Sequence, residues 1–321
     1  MDFSLNEVQE MLADSIEKFI DNEYDFDTRQ KYAGSDPGFS AEVWSTFVEL
    51  GWTAVPFSED DGGFDGGPID LMVMMQRFGR GLVVEPYLAN IVLAGGILKR
   101  VASAEQKECW LHPVIAGDLQ ATLAFTEPQA RYDICNVATT AEADGDGWVI
   151  NGRKGFVLNG GSADVLIVPA RTSAGTGADG ISLFGVDAAA DGVSRESYHT
   201  VDGLRAAEVS LTGVRVGNEA VLGEPGGGFA ALDATIDDAT LAVCAEAVGI
   251  MHILKQKTIE YSKSRAQFGV PIGSFQALQH RMVDMLTACE QAQSLLMWAT
   301  MAYAAGCLLY TSDAADDDYT V

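Results

Sequence analysis

The stretch from Leu123 to Thr172 carries the residues whose types and spacing could do chemistry. An apolar run, 121–125, stops at Thr126-Glu127-Pro128. Proline has no N–H and biases the residue before it away from helix, so we expect a strand that ends there in an exposed turn. Such a turn can present a hydroxyl and backbone N–H groups along one edge. This edge suits a planar heterocycle with a diphosphate tail; the alternative is a sheet whose turns are only turns.

The elements that must hold this edge are predicted to be strands. Residues 137–143 and 148–158 alternate in polarity and flank Asp144-Gly145-Asp146-Gly147, which is a strong hairpin signal. A third strand is predicted over 165–170. Across 119–226 no helical period appears and β-branched residues alternate. This pattern predicts an all-β domain of short strands.

Helical periodicity dominates on both sides of this segment. Apolar spacing predicts shorter helices on the N-terminal side, over 8–20, 40–50, 69–78, 88–101 and 103–114. Ser4 and Glu7 are predicted to form a capping box for the first of them. Two long helices are predicted from Phe229 to about Arg265 and from Phe275 to about Ala305. Two long helices form half of a bundle, so their partners are missing or belong to another subunit.

Four separated motifs occur in order along the chain. They are Leu50-Gly51-Trp52 with the glycines after it; 105–117; Thr126-Glu127-Pro128-x-Ala-x-x-Asp133 with Ile150-Asn151-Gly152-x-Lys154-x-x-x-Asn159-Gly160; and Arg265-x-Gln267-Phe268-Gly269-x-Pro271-Ile272-x-x-Phe275-Gln276. Together they resemble the flavin-dependent acyl-CoA dehydrogenase family over residues 1 to about 305. In detail, Arg131-Tyr132-Asp133 and 202–208 are most similar to the small subunits of pimeloyl-CoA dehydrogenases.

The resemblance implies an α+β multidomain fold. It consists of an N-terminal α-helical domain over 1–118, a middle β-barrel or sandwich domain over 119–226, and a C-terminal helical bundle over 227–306 that is incomplete here. Residues from about Cys307 to Val321 read like a translated sequencing adaptor. We interpret them as a non-native tail. The alternative is a native, acidic, disordered tail.

The resemblance also implies FAD as cofactor and residues that bind it. The implied chemistry is α,β-dehydrogenation of an acyl-CoA thioester to a trans-2-enoyl-CoA. The cofactor-binding residues are Phe125, Thr126, Glu127, Phe156, Leu158, Arg265, Gln267, Phe268 and Gln276. The last four match positions that reach the flavin of a neighbouring subunit. The substrate-binding residues are Tyr132 and Asp237.

Several positions near the predicted site depart from the family pattern. Phe156 stands where Trp is usual, and Leu158 stands where Thr or Ser is usual, which removes a hydroxyl donor. Arg131-Tyr132 replaces the usual Gly-Ser. The structural alternative for the aromatic positions is ordinary core packing.

No catalytic base can be assigned from these residues. The reaction needs a carboxylate with a pKa raised by burial, and donors that stabilise the thioester oxygen. Most of the family place the base, a Glu, in a loop of the last helices, which this chain lacks. A minority place it on the first long helix, where Ala239 and Thr240 stand. Asp237 matches an acyl-side position, and Asp238 is predicted to lie on a solvated face.

Composition narrows the partners and the location. The formal net charge of −26 argues against nucleic acid and anionic membrane surfaces. The five cysteines form no C-x-x-C pair, which predicts reduced thiols in a cytoplasmic protein. The four histidines have no metal-ligand spacing, and no apolar run reaches the length of a membrane span.

The leading interpretation is a subunit of an acyl-CoA dehydrogenase. The resemblance implies an acyl-CoA substrate and electron-transfer flavoprotein as electron acceptor. A dicarboxylyl-CoA such as pimeloyl-CoA is the candidate substrate that the resemblance suggests. The resemblance also implies a homo- or hetero-oligomer, in one case with a larger subunit. The alternative is a non-catalytic, flavin-holding subunit, and an oxidase of the same fold stays open. The chain as printed is expected to be inactive on its own.

Overall fold

Along the chain, a group of helices is followed by the strands of an eight-stranded sheet and then by two long helices, in the order that the sequence predicts. A computed structural model describes residues 4–306. The α-helices run Glu7–Glu23 (α1), Phe26–Ala33 (α2), Ala41–Glu49 (α3), Pro68–Gly81 (α4), Gly95–Val101 (α5), Ala104–Gln106 (α6), His112–Ala116 (α7), Phe229–Ser264 (α8) and Gln276–Ala304 (α9). The predicted α+β class, with helices, then strands, then helices, is confirmed. The predicted tail from Cys307 lies outside the described residues.

Local signals place most of the helices, with three differences from prediction. The cap of α1 is Asn6, not Ser4: the Asn6 side chain accepts from the Gln9 N–H at 2.9 Å, and Gln9 accepts in return from the Asn6 N–H at 3.1 Å. The predicted helix 88–101 begins as a π-helical segment, Leu88–Ala94, before α5. The short, polar helix α2 was not predicted.

The strands are Ala121–Leu123 (β1), Thr140–Asp144 (β2), Gly147–Leu158 (β3), Val165–Arg171 (β4), Ile181–Asp187 (β5), Val193–His199 (β6), Arg205–Gly217 (β7), Val221–Leu222 (β8), Ala266–Gln267 (β9) and Val270–Pro271 (β10). The first eight form one sheet in the order β6-β7-β3-β2-β4-β5-β8, and β1 pairs with β4. The Asp-Gly hairpin is confirmed, because Asp144 pairs with Gly147 across β2 and β3.

The core of the sheet is made of alternating apolar side chains. Its fully buried members include Ile150, Leu166, Phe184, Val209 and Val214. Alternation along each strand directs one set of side chains to this core. The pairing of β3 with β7 is interrupted between Lys154 and Val157, where β3 carries one residue more than β7. That bulge is part of the site.

The described chain divides into two compact units. One contains 4–25, 67–83 and 241–306, and the other contains 26–66 and 84–240. The second unit therefore includes the whole eight-stranded sheet, α2, α3, α5–α7 and the start of α8. The predicted domain boundaries at 118 and 226 stay predictions. None of the helices between residues 4 and 306 is long and apolar enough to cross a membrane.

Candidate functional site

The sheet opens between β1 and β2, which both pair with β4. The Ala124 N–H donates to the Ile167 carbonyl at 2.8 Å, and the Arg171 N–H donates to the Thr139 carbonyl at 2.8 Å. Between these two bonds the segment 125–138 leaves the sheet. Phe125, Thr126, Glu127 and Tyr132 all lie on that segment, so this part of the predicted site coincides with the opening.

The Glu127 carboxylate is buried behind the edge. It accepts hydrogen bonds from the backbone N–H groups of Ala138 at 2.7 Å and Thr139 at 3.2 Å. The Thr139 hydroxyl and the Gln129 amide each donate to it at 2.7 Å. The Lys154 ammonium completes the shell at 2.6 Å. The acid group is thus fully engaged by protein donors, and a cofactor would meet the backbone of this turn.

Lys154 is the counter-charge and lies on β3 with 0% exposure. Its ammonium also donates to the Pro169 carbonyl at 2.7 Å. Burial alone would raise the pKa of Glu127, but the ammonium and the other donors outweigh burial and lower it to about 2. Burial lowers the pKa of Lys154 to about 8, against the attraction of the carboxylate. Both groups are charged at neutral pH.

Phe156 lies on the β3 bulge, two residues after Lys154. Its φ is 51°, in the left-handed region that an aromatic residue adopts only under constraint. The constraint comes from two bonds: the Gly155 N–H donates to the Thr126 carbonyl at 2.9 Å, and the Phe156 N–H donates to a Glu208 oxygen at 3.4 Å. As a result, the Phe156 side chain is 51% exposed beside the Thr126 turn.

The other predicted contacts of this unit are placed less tightly. Phe125, Thr126 and Leu158 are half-buried, and the Leu158 carbonyl accepts from the Thr122 hydroxyl at 2.6 Å. Tyr132 is 99% exposed, after Arg131 with a φ of 54°. The structure therefore brings Phe156 and Thr126 together, whereas the Tyr132 ring makes almost no contact with the described chain.

The start of α8 carries the acidic positions. Asp237 is exposed, and the pKa of its carboxyl is raised by partial burial and by the neighbouring Asp233 and Asp238. The prediction that Asp238 is solvated was wrong, because it pairs with Arg100 of α5 at 2.7 Å and is largely buried. The reason is that α5 lies against this face of α8, which helical periodicity alone could not show.

The two positions where part of the family places a base cannot supply one. Ala239 is buried and has no titratable group. Thr240 is exposed, and its hydroxyl donates to the Ile236 carbonyl of its own helix at 2.8 Å. On this turn of α8, Asp237 is the carboxylate without a salt bridge among the described residues. Its role as a substrate contact stays a prediction.

The second group of predicted cofactor residues lies in the other compact unit. Arg265, Gln267, Phe268 and Gln276 are all exposed. The hairpin of β9 and β10 holds them through the pairing of Gln267 with Val270 and a 2.8 Å bond from the Ile272 N–H to the Arg265 carbonyl. Phe268 is 92% exposed with a φ of 54°.

The edge at Thr126 and Phe156 fits a flat, partly polar cofactor. An exposed aromatic ring held in a strained conformation offers a surface for stacking. The Thr126 hydroxyl has no hydrogen-bond partner within residues 4–306, so it is available as a donor. Leu158 offers no such donor. The fit is therefore to a ring system that stacks on Phe156 and accepts from Thr126.

Three residues of the site were missed as functional by sequence reasoning. The sequence analysis included Lys154 in a family motif but gave it no role. It used Glu208 only as part of the resemblance over 202–208, and it did not consider Arg100. Lys154 lies an even number of positions after the buried Ile150 on β3, so alternation places it on the buried face of the strand. This was a usable signal, because a charge is buried only with a partner.

Family models for all three acyl-CoA dehydrogenase domains match this chain. The N-terminal domain matches residues 6–118, the middle domain 122–214 and the C-terminal domain 226–315. The chain thus belongs to the acyl-CoA dehydrogenase family, and the resemblance drawn from its motifs is confirmed at that level.

Individual relatives agree with this placement. The short-chain specific acyl-CoA dehydrogenase of Clostridium acetobutylicum is 30% identical over 98% of this chain and 84% of its own. The caffeyl-CoA reductase-Etf complex subunit CarC of Acetobacterium woodii is 32% identical over 80% of this chain and 69% of its own. Among solved structures, the FAD complex of PigA superposes with a TM-score of 0.87 at 28% identity, covering 95% of this chain and 81% of PigA.

Proposed function

We propose that this chain is an FAD-dependent acyl-CoA dehydrogenase subunit, which removes hydrogen from the α,β bond of an acyl-CoA thioester to give a trans-2-enoyl-CoA. The observation that carries the proposal is the edge at the sheet opening. There, an exposed Phe156 lies beside a Thr126 hydroxyl that has no partner among the described residues, and hydrogen bonds hold both in place. The FAD-bound structure of PigA, similar over 95% of this chain, supports FAD as the group that this edge holds.

In this proposal, the protein binds and orients, and bound FAD supplies the hydride acceptor. Phe125 and Phe156 hold the ring system, and Thr126 donates to it. Arg265, Gln267, Phe268 and Gln276 serve the flavin of a neighbouring subunit, which makes the active protein an oligomer. Tyr132 and Asp237 lie on the substrate side.

The finer assignments are supported by resemblance and not by contacts. A dicarboxylyl-CoA such as pimeloyl-CoA is the proposed substrate because of 131–133 and 202–208. Electron-transfer flavoprotein is the proposed acceptor, and the name of the CarC relative, a subunit of a complex with Etf, supports it. A cytoplasmic location is proposed from isolated cysteines; the four in the described range are free thiols (Cys109, Cys135, Cys244 and Cys289).

A second function is favoured by the start of α8. Asp238 is neutralised by Arg100, and Ala239 and Thr240 cannot remove an α-proton. A chain of this kind can hold flavin for a larger subunit that supplies the base. In that case it is inactive alone, because loss of a general base typically costs about 10²–10⁴-fold in rate.

The test is a titration of the purified apoprotein with FAD, followed by acyl-CoA-dependent reduction of a dye. Butyryl-CoA and pimeloyl-CoA are compared, with and without electron-transfer flavoprotein. We expect a saturable flavin spectrum. Dye reduction by the chain alone would remove the second function, and reduction that appears only with a larger subunit would support it. A protein that binds no FAD contradicts both.

A further inference from the structure

The ion pair of Glu127 and Lys154 fills a break in the sheet. On β4, β1 pairs as far as Ile167 and β2 pairs at Arg171, so the registers place no strand residue opposite 168–170 on that side. A sheet left open at this point has backbone groups without strand partners, and buried groups of this kind are costly unless they are satisfied.

Each member of the pair satisfies one side of that break. The Lys154 ammonium donates to the Pro169 carbonyl at 2.7 Å. The Glu127 carboxylate accepts from the N–H groups of Ala138 and Thr139, just before β2 begins. The 2.6 Å contact between the two charges then joins the halves. The ion pair thus replaces the strand hydrogen bonds that are missing here.

The same pair is adjacent to both parts of the proposed flavin edge. Glu127 directly follows Thr126 in the chain, and Lys154 directly precedes the bulge at Gly155 and Phe156. The bond from the Gly155 N–H to the Thr126 carbonyl ties the two parts together at 2.9 Å. Movement of either charge therefore moves the Thr126 turn or the Phe156 bulge.

We infer that Glu127 and Lys154 are positioning residues, which fix the Thr126 turn and the Phe156 bulge in the geometry that accepts flavin without touching flavin through their charged groups. The inference rests on the proposed function. Outer partners that orient the ligands of metal sites typically account for about 10- to 100-fold in affinity, and we expect an effect of the same order at this edge.

The experiment measures the FAD dissociation constant, the visible flavin spectrum and the melting temperature of the apoprotein. The full chain is compared with Glu127→Gln, Lys154→Met and the double variant. Each single variant is expected to weaken FAD binding by about 10- to 100-fold and to alter the flavin spectrum. The double variant should weaken it by less than the product of the two single effects, because the two residues act as one unit.

The control is Arg215→Gln, which breaks the exposed pair of Arg215 and Asp144 on the same sheet. It should leave FAD binding unchanged. If a single variant does not fold, Thr139→Val removes only the 2.7 Å hydroxyl donor of Glu127 and should weaken FAD binding by about 2- to 10-fold.

Two negative results are distinguishable. Folded variants that melt at a lower temperature but bind FAD with the wild-type constant and spectrum show a purely structural pair, and they overturn this inference alone. A wild-type chain that binds no FAD overturns the proposed function. A Thr139→Val variant with wild-type binding also counts against the positioning role.

Discussion

The two regions predicted to contact flavin are built in opposite ways. At the sheet opening, Thr126 and Phe156 lie next to the buried pair of Glu127 and Lys154. The Glu127 carboxylate accepts from five donors, one of which is the completely buried Lys154 ammonium. At the hairpin of β9 and β10, the four predicted residues are all exposed, and Phe268 packs edge-on against Phe275 with ring centroids 6.3 Å apart.

This difference indicates which region is ready to bind before a partner arrives. A site whose supporting shell is locked loses little freedom on binding, so its affinity is built into the single chain. The four exposed hairpin residues have no buried support of this kind, so we expect them to contribute when another surface orders them. We therefore expect changes at the sheet opening to act in every state of assembly, and changes at the hairpin to act only in the oligomer.

The largest expected effect is the loss of the ion pair's contribution in acid. The folded pKa of Glu127, about 2, is lower than its ordinary 4.5. Its contribution to stability is present above 4.5 and is lost as the pH falls toward 2, which amounts to about 2 kcal/mol between pH 6 and pH 3. The free energy of unfolding, measured with urea at both pH values, should therefore fall by about 2 kcal/mol more in the wild type than in Glu127→Gln/Lys154→Met. Equal falls would mean that the pair adds nothing to the rigid region.

At neutral pH the same pair should contribute little net stability. Burial lowers the pKa of Lys154 from 10.5 to about 8, so the cost of removing the ammonium from water opposes the gain at Glu127. A buried ion pair is weak evidence for stability, and a small net contribution would agree with the positioning role that we infer for Glu127 and Lys154.

The next largest effect is expected from Thr126→Val. This change removes a hydroxyl that has no partner in the described part of the chain, and it keeps the side-chain shape. FAD binding should therefore weaken by about 1 kcal/mol, or roughly fivefold. Isothermal titration of apoprotein gives the constant. Thr258→Val is the matched control, since its hydroxyl donates to its own helix at Leu254. If Thr126→Val leaves the FAD dissociation constant and the flavin spectrum unchanged, the Thr126 hydroxyl does not donate to the cofactor.

The sequence predicted the strands and helices that carry both regions, but not the buried ion pair that supports the sheet opening. Alternation and the Asp-Gly turn located β2 and β3, and apolar spacing located α8 and α9, because these signals are local. The direction of the Glu127 carboxylate and the burial of Lys154 depend on residues 27 positions apart along the chain. The pairing of Asp238 with Arg100 joins positions 138 apart. A single sequence shows which residues are charged, but it does not show which of them form ion pairs across such separations.

A smaller effect is expected at the hairpin, from Arg265→Ala. If Arg265 serves the flavin of a neighbouring subunit, FAD occupancy should fall by about threefold, since an exposed charge contributes less than about 1 kcal/mol. The fall should appear at protein concentrations where the oligomer forms and vanish where it dissociates. Sedimentation combined with flavin absorbance measures both.

The control for this change is Arg281→Ala, which removes another exposed arginine, on α9, with a 3.7 Å partner in Asp284. A monomer that retains full flavin occupancy would contradict the role of the hairpin. If Arg265→Ala lowers FAD occupancy equally at all protein concentrations, the hairpin acts within the single chain, as we expect of the sheet opening.

The smallest effect is expected from Arg153→Gln, which separates surface support from buried support at the bulge. Arg153 lies beside Lys154 on β3 but is 62% exposed, and it pairs with Glu208 at 3.3 Å. Exposed pairs contribute about 0–1 kcal/mol, and Glu208 keeps its contact with the Phe156 N–H without Arg153. FAD binding and the flavin spectrum should therefore change by less than about twofold. A loss as large as that in Thr126→Val would show that the surface pair sets the left-handed conformation of Phe156, and the buried pair would then be only one of two supports of the edge.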